Sequence, residues 1–110
     1  MKLDEYQQKA KKTDLKTVIK ESDLAYYALG LTDEAGEVAG KVKKLYRDMN
    51  GELTDEYRKE LAKEIGDVLW YASCLSARLG YKLSEVAEMN VEKLSSRKER
   101  KKLSGSGDNR

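Results

Sequence analysis

Two pairs of acidic residues are spaced so that each pair projects from one face of a helix. Glu34 and Glu37 form the first pair and Glu64 and Asp67 the second, each spaced i, i+3. Asn50-Gly51, a strong turn signal, lies midway between the pairs. If two helices fold back on each other at this turn, Glu34 comes level with Asp67 and Glu37 level with Glu64. The spacing therefore predicts a cluster of four carboxylates.

Such a cluster indicates a bound cation. Four adjacent carboxylates repel one another unless protons or a cation neutralise them. Oxygen ligands suit hard divalent ions, so Mg²⁺ is the expected occupant, with Mn²⁺ as the other suitable ion. Because Mg²⁺ commonly completes its coordination with substrate phosphates, we expect metal-dependent chemistry on a phosphate-bearing small molecule. Since 38% of the residues are charged, acidic pairs at this spacing also occur as ordinary surface charge, as at Glu52/Asp55.

Hydrophobic periodicity predicts the helices that carry these pairs. One helix from Ser22, a suitable N-cap, to about Asp48 and another from Thr54 to about Leu79 each present an apolar stripe. The acidic residues lie on the shoulders of the stripes, displaced in the same rotational sense. Antiparallel packing of stripe against stripe brings such shoulders together, so the carboxylates should converge at the edge of the core. The stripes consist of Leu24, Ala28, Leu31, Ala35, Val38, Val42 and Leu45, and of Leu61, Ile65, Val68, Ala72, Leu75 and Leu79.

The remaining segments predict an all-α protein with one domain over residues 1–110. A short helix or arm occupies residues 1–12, residues 13–21 form a connection, and a further helix opens at Ser84. We divide the domain into an N-terminal arm over 1–21, a helical core over 22–96 and a tail over 97–110. Trp70 lies on the back of its helix, so it needs cover from another helix or a second subunit.

Composition excludes several kinds of site. Histidine is absent, which excludes His-based acid–base and zinc chemistry. The lone Cys74 argues against a disulfide framework and, with no histidine to activate it, against a thiol nucleophile; we expect a cytoplasmic protein. No apolar run approaches the roughly 20 residues of a membrane span, and no secretory signal opens the chain. The formal net charge is only +2.

The C-terminal part carries a second set of polar residues. Asn90, Lys93 and Arg97 lie on one helix face, where they form a polar flank or hold phosphate oxygens. By composition, residues 103–110 are a flexible end or a remnant of an affinity tag, or they order over a ligand.

Longer motifs around these residues are similar to a known family. Leu-Gly-Leu-Thr-Asp-Glu-Ala-Gly-Glu-Val at 29–38 and Lys-Glu-Ile-Gly-Asp-Val-Leu-Trp-Tyr at 63–71 resemble the MazG-like nucleotide pyrophosphohydrolases. Asn-Val-Glu-Lys-Leu-Ser-Ser-Arg at 90–97 and Gly-Ser-Gly-Asp-Asn-Arg at 105–110 resemble the C-terminal part of the small, single-domain, phage-type members. The similarity covers residues 3–110. Members with this tail often have Gly where Lys101 stands.

The resemblance implies an all-α NTP pyrophosphatase fold, a helical bundle built round an antiparallel helix hairpin, that assembles as dimers or tetramers. It implies Mg²⁺-dependent cleavage of a (deoxy)nucleoside triphosphate to the monophosphate and pyrophosphate. The family's metal ligands correspond to Glu34, Glu37, Glu64 and Asp67. Its substrate-binding positions correspond to Tyr71, near the base or sugar, and to Asn90, Lys93 and Arg97.

In this chemistry Glu37 and Glu64 are the candidate catalytic carboxylates, and Glu37 accepts the proton of the attacking water. Lys41, Lys93 and Arg97 stabilise charge on the leaving pyrophosphate. Two alternatives stay open. One is phosphoribosyl-ATP pyrophosphohydrolysis, a sister chemistry in the same superfamily. The other is a non-catalytic helical module that binds nucleic acid through Lys93–Lys102, with strong salt dependence and no need for Mg²⁺.

Overall fold

The computed structural model describes residues 1–15 and 23–110, which contain four α-helices and no strand. The helices are α1 (Leu3–Thr13), α2 (Asp23–Met49), α3 (Asp55–Arg78) and α4 (Leu83–Glu99). The all-α prediction is therefore confirmed. The predicted N-cap Ser22 and most of the predicted connection lie outside the described residues.

The hairpin between α2 and α3 forms at the predicted turn. Asn50 and Gly51 both adopt left-handed backbone conformations, with φ of 54° and 75°. The Gly51 amide donates to the Leu45 carbonyl at 3.0 Å, which closes the end of α2. At the start of α3 the hydroxyl of Thr54 accepts from the Tyr57 amide at 3.1 Å, as expected of an N-cap. Local signals therefore specify the reversal that brings the two acidic segments together.

The contact face between α2 and α3 is rotated from the predicted stripes. Tyr27 is fully buried and Leu45 nearly so, and they lie about two and three helical turns from the half-buried Glu34, on the same side of α2. Ile65 of the predicted stripe is instead 56% exposed, and Val42 is also exposed. Glu34 and Glu64 thus lie within the interhelical face, while part of the apolar stripe faces outward.

α1 covers the end of the hairpin where Trp70 lies. Ala10, Tyr27 and Cys74 form the buried cluster, and Trp70 packs against it. The indole nitrogen of Trp70 donates to the Thr13 hydroxyl at 2.8 Å. The expected cover for Trp70 is therefore supplied by another helix of the same chain.

A buried polar network joins the end of α1 to the hairpin. The Tyr27 hydroxyl donates to the Asp14 carboxylate at 2.7 Å and accepts from the Arg78 guanidinium at 2.8 Å. Arg78 also contacts Asp14 at 3.3 Å. Desolvation, assisted by the bond to Asp14, raises the pKa of Tyr27 to about 12, so the phenol stays a neutral donor at physiological pH.

α1 also caps α4, which begins one residue before Ser84. The Asp4 carboxylate accepts from the Ser84 amide at 3.0 Å and from the Ser84 hydroxyl at 2.7 Å. These bonds lower the pKa of Asp4. Gln7 accepts from the Leu83 amide at 3.0 Å and donates to the carbonyls of Ser73 and Tyr81. Two polar side chains of α1 thereby fix the angle at which α4 leaves α3.

The chain is more extended than a typical domain of its length. Its radius of gyration is 16.8 Å, against about 13 Å expected for 110 residues. α4 packs on α1 and α3 and, among the described residues, not on α2. None of the described helices combines the length and the apolarity that crossing a bilayer requires.

Gly30 provides the test of how closely the hairpin packs. A Cβ atom at Gly30 would overlap the Tyr71 ring, whereas one at Gly36 meets nothing within 4 Å. We therefore expect Gly30→Ala to lower the free energy of unfolding by about 1–3 kcal/mol through overpacking. The matched variant Gly36→Ala should raise it by up to about 1 kcal/mol through helix propensity. Urea denaturation measures both, and equal effects of the two variants would contradict the packing described.

Candidate metal and substrate site

Three of the four predicted acidic residues come together between α2 and α3. Glu34, Glu64 and Asp67 each offer a carboxylate oxygen, and these three atoms lie within 4.8 Å of one another. Glu34 and Glu64 are half-buried, and Asp67 is exposed. We call these residues the acidic trio.

The composition of the trio fits a hard divalent cation. Its ligand atoms are all carboxylate oxygens, which suit Mg²⁺ or Mn²⁺ better than softer metals. The ammonium group of Lys41 lies 3.6 Å from Glu64 and 3.9 Å from Glu60, so it compensates part of the local charge. Three carboxylates and one ammonium leave two negative charges, which a divalent ion balances.

The pKa of Glu34 reflects its burial and the repulsion between neighbouring carboxylates. Partial burial raises the pKa of Glu34, and repulsion from Asp67, Asp33, Glu64 and Glu37 raises it further. The charged form of Glu34 is therefore disfavoured until a cation reaches the cluster.

Glu37 lies beside the trio and does not belong to it. Its side chain is exposed on α2, and its charge contributes to the field at Glu34. Glu64 instead contacts Lys41, one helical turn after Glu37, at 3.6 Å. The assignment of Glu37 as a metal ligand stays a prediction.

An aromatic cavity adjoins the trio. It has a volume of about 360 Å³ and is lined by Glu34, Asp67, Tyr71, Trp70 and Thr13. Tyr71 is thus next to the acidic residues, as the resemblance implied. Desolvation and a hydrogen bond with Tyr26 raise the pKa of Tyr71, so it stays neutral. No sequence pattern indicated a role for Thr13, and Trp70 was predicted only to need cover.

A second cavity, of about 230 Å³, lies at the other side of the α1 contact beside Asp14, Cys74 and Arg78. Desolvation raises the pKa of the Cys74 thiol to about 11. The neutral, buried thiol is a poor nucleophile, in agreement with the sequence interpretation.

The predicted substrate residues of α4 do not line the aromatic cavity. The Lys93 ammonium pairs with the Asp108 carboxylate at 3.2 Å. Arg97, only 4% exposed, donates to the Asp108 carbonyl at 2.6 Å. Asn90 is exposed. Within one chain Lys93 and Arg97 therefore bind the tail.

The tail over residues 101–110 folds against the end of α4. The Arg110 guanidinium donates to the carbonyls of Lys102, Leu103 and Gly107 at 2.6 to 3.2 Å. Hydrogen bonding to Lys93 and Arg97 lowers the pKa of Asp108. The tail thus makes specific contacts with itself and with α4. Closure of the tail over a ligand stays a prediction.

The raised pKa of Glu34 predicts a pH-dependent response to Mg²⁺. A raised carboxyl pKa means that the folded state holds the proton of Glu34 more tightly than the unfolded state does. Protonation of Glu34 therefore stabilises the folded state at low pH, and this contribution is lost as the pH rises through the raised pKa. Mg²⁺ competes with the same proton. We expect the Mg²⁺-induced increase in Tm to be larger at about pH 7.5 than at about pH 5, and Glu34→Gln to reduce this difference.

Differential scanning fluorimetry at the two pH values measures the effect. Glu52→Gln removes an exposed carboxylate at the turn and serves as the matched control. An equal Mg²⁺ response at both pH values in the unmodified protein would contradict the prediction.

Comparison with known proteins identifies the family. A family model of the MazG nucleotide pyrophosphohydrolase domain matches residues 23–101. The "Gene 37 protein" of Mycobacterium phage L5 is 51% identical over 87 residues, which cover 79% of this chain and 76% of the phage protein. No solved structure matches the chain. The acidic motifs on α2 and α3 lie within the matched region, and the chain belongs to the MazG nucleotide pyrophosphohydrolase family.

Proposed function

We propose that the protein is a Mg²⁺-dependent pyrophosphohydrolase that cleaves a (deoxy)nucleoside triphosphate to the monophosphate and pyrophosphate. The observation that carries the proposal is the acidic trio at the edge of an aromatic cavity. A carboxylate cluster suits a metal and its bound phosphates, and an aromatic wall suits a base. The chain belongs to a family of nucleotide pyrophosphohydrolases, which supports the reaction type. The family generally uses divalent metals, which supports the metal requirement.

The residues of the site divide into three groups by the role we assign to them. Glu34, Glu64 and Asp67 would hold the cation, which when bound neutralises the triphosphate and orients it for in-line attack by water. Glu37 is exposed next to the trio, so it is free to accept a proton from the attacking water. Lys41 already lies at Glu64, where its charge can stabilise phosphate oxygens.

The two alternatives differ from the proposed function in different respects. Phosphoribosyl-ATP pyrophosphohydrolysis needs the same metal and differs in the substrate, so a substrate panel separates it. Nucleic-acid binding through Lys93–Lys102 loses two of the cations of that stretch, because Arg97 is buried and Lys93 is paired with Asp108.

The acidic trio makes the reaction testable by conservative substitution. Glu64→Gln and Asp67→Asn keep the size of each side chain and remove its charge. We expect each to lower kcat for pyrophosphate release from a dNTP panel with Mg²⁺ by at least about a hundredfold. The helical circular dichroism signal should persist, and Glu52→Gln should turn over normally. Wild-type activity in either trio variant would exclude the site.

We also propose that the protein works as a homo-oligomer, a dimer or a tetramer. Apolar side chains remain exposed on each of the four described helices, including Ile65 at 56% and Val91 at 61%. Lys93 and Arg97 lie on α4, which in the described part of the same chain does not touch α2. A second copy that covers the exposed apolar faces would bring its α4 to the acidic trio. Binding of the triphosphate would then replace the contacts of Lys93 with the tail.

Complementation between two inactive variants tests this arrangement. If α4 acts on the partner's trio, a dimer of Glu64→Gln with Lys93→Ala contains one intact site. Random exchange of subunits should then restore about a quarter of wild-type activity. If all residues of a site come from one chain, mixing restores nothing. Size-exclusion chromatography with light scattering confirms that the mixed oligomers form.

A further inference from the structure

Thr13 holds the indole of Trp70 by a relay of two hydrogen bonds. The Thr13 hydroxyl donates to the Ala10 carbonyl at 2.9 Å and accepts from the Trp70 indole nitrogen at 2.8 Å. A hydroxyl has one hydrogen to donate, and the indole has one as well. Both donors are therefore used within the protein, and the relay connects the last turn of α1 to the wall of the cavity.

Aromatic packing completes the fixation of the indole. The Tyr71 ring lies edge-on at 4.9 Å between centroids, with an interplanar angle of 81°. The Tyr27 ring lies at 6.5 Å and is tilted by 40°. These ring contacts restrict the indole, and the hydrogen bond to Thr13 adds a directional contact at its nitrogen. Both Trp70 and Thr13 line the cavity that adjoins Glu34 and Asp67.

We propose that Thr13 is a positioning residue that fixes the Trp70 indole as the stacking wall for the nucleobase of the substrate. This inference rests on the proposed function, because it needs a nucleotide whose phosphates lie at the acidic trio. The indole nitrogen is engaged by Thr13, so Trp70 offers the base a ring surface and no free donor. Stacking on an aromatic surface tolerates any base. Thr13 therefore contributes to affinity for nucleotides in general and does not discriminate between them.

Thr13→Val tests the relay because valine has nearly the shape of threonine and lacks the hydroxyl. The probes are an α,β-imido-dNTP, in which the bond to be cut resists hydrolysis, and inorganic tripolyphosphate, which has no base. With Mg²⁺ present, titration calorimetry should show about three- to tenfold weaker binding of the imido-dNTP and less than about twofold change for tripolyphosphate. Thr13→Ser keeps the hydroxyl and should bind both probes like the wild type.

Two further readouts separate positioning from a general loss of structure. Trp70 is the only tryptophan of the chain, so acrylamide quenching of the intrinsic fluorescence reports on this indole alone. Quenching should increase in Thr13→Val and not in Thr13→Ser. In steady-state assays Thr13→Val should raise KM and leave kcat nearly unchanged. Circular dichroism verifies that both variants are folded.

The outcomes distinguish this inference from the proposed function. If the wild type binds both probes and Thr13→Val binds them equally well, the positioning role is wrong and the proposed function stands. If Thr13→Val loses affinity for tripolyphosphate and the imido-dNTP alike, Thr13 supports the whole site and the inference is also wrong. If the wild type binds neither probe, the proposed function fails and the inference fails with it.

Discussion

Electrostatic repulsion among the carboxylates between α2 and α3 is the constraint on which the structure depends. Glu34 and Glu64 are removed in part from water, and Asp67 lies within 4.8 Å of both. Such a cluster opposes close packing of the helices that carry it. Lys41 offsets only part of the charge. The fold must therefore hold the hairpin together by contacts outside the cluster, and a bound cation would remove the remaining repulsion.

Those contacts lie at the two ends of the hairpin. At the turn, Thr54 caps α3, and the Tyr57 hydroxyl donates to the Lys41 carbonyl at 2.6 Å. At the other end, Tyr27 bridges Asp14 and Arg78, and α1 packs over Trp70. The acidic trio lies between these two groups of contacts. A protein built in this way can keep like charges close in the absence of metal because the helix ends are fixed independently of the site.

The sequence predicted the parts of this arrangement that depend on local signals. The turn at Asn50-Gly51 and the cap at Thr54 follow from residue types that favour those conformations, and they determine which acidic residues meet. The rotation of the contact face was not predictable from periodicity. A stripe of apolar residues shows that a helix has an apolar face without showing what covers it, and here Ile65 and Val42 remain outside. The contacts by which α1 joins α3 to α4 were not predicted, because Gln7 binds groups 66 to 76 residues away in sequence. Thr13 was missed for the same reason, since its hydroxyl acts on Trp70 from another helix.

The central claim is that this cluster binds a divalent cation, and electron paramagnetic resonance of Mn²⁺ tests it most directly. Free Mn²⁺ gives a six-line spectrum that broadens when the ion is bound to a protein. We predict that stoichiometric wild-type protein removes most of the free-ion signal and that added Mg²⁺ restores it. The triple variant Glu34→Gln, Glu64→Gln, Asp67→Asn should leave the free-ion signal intact. An undiminished signal in the presence of the wild-type protein would contradict the account.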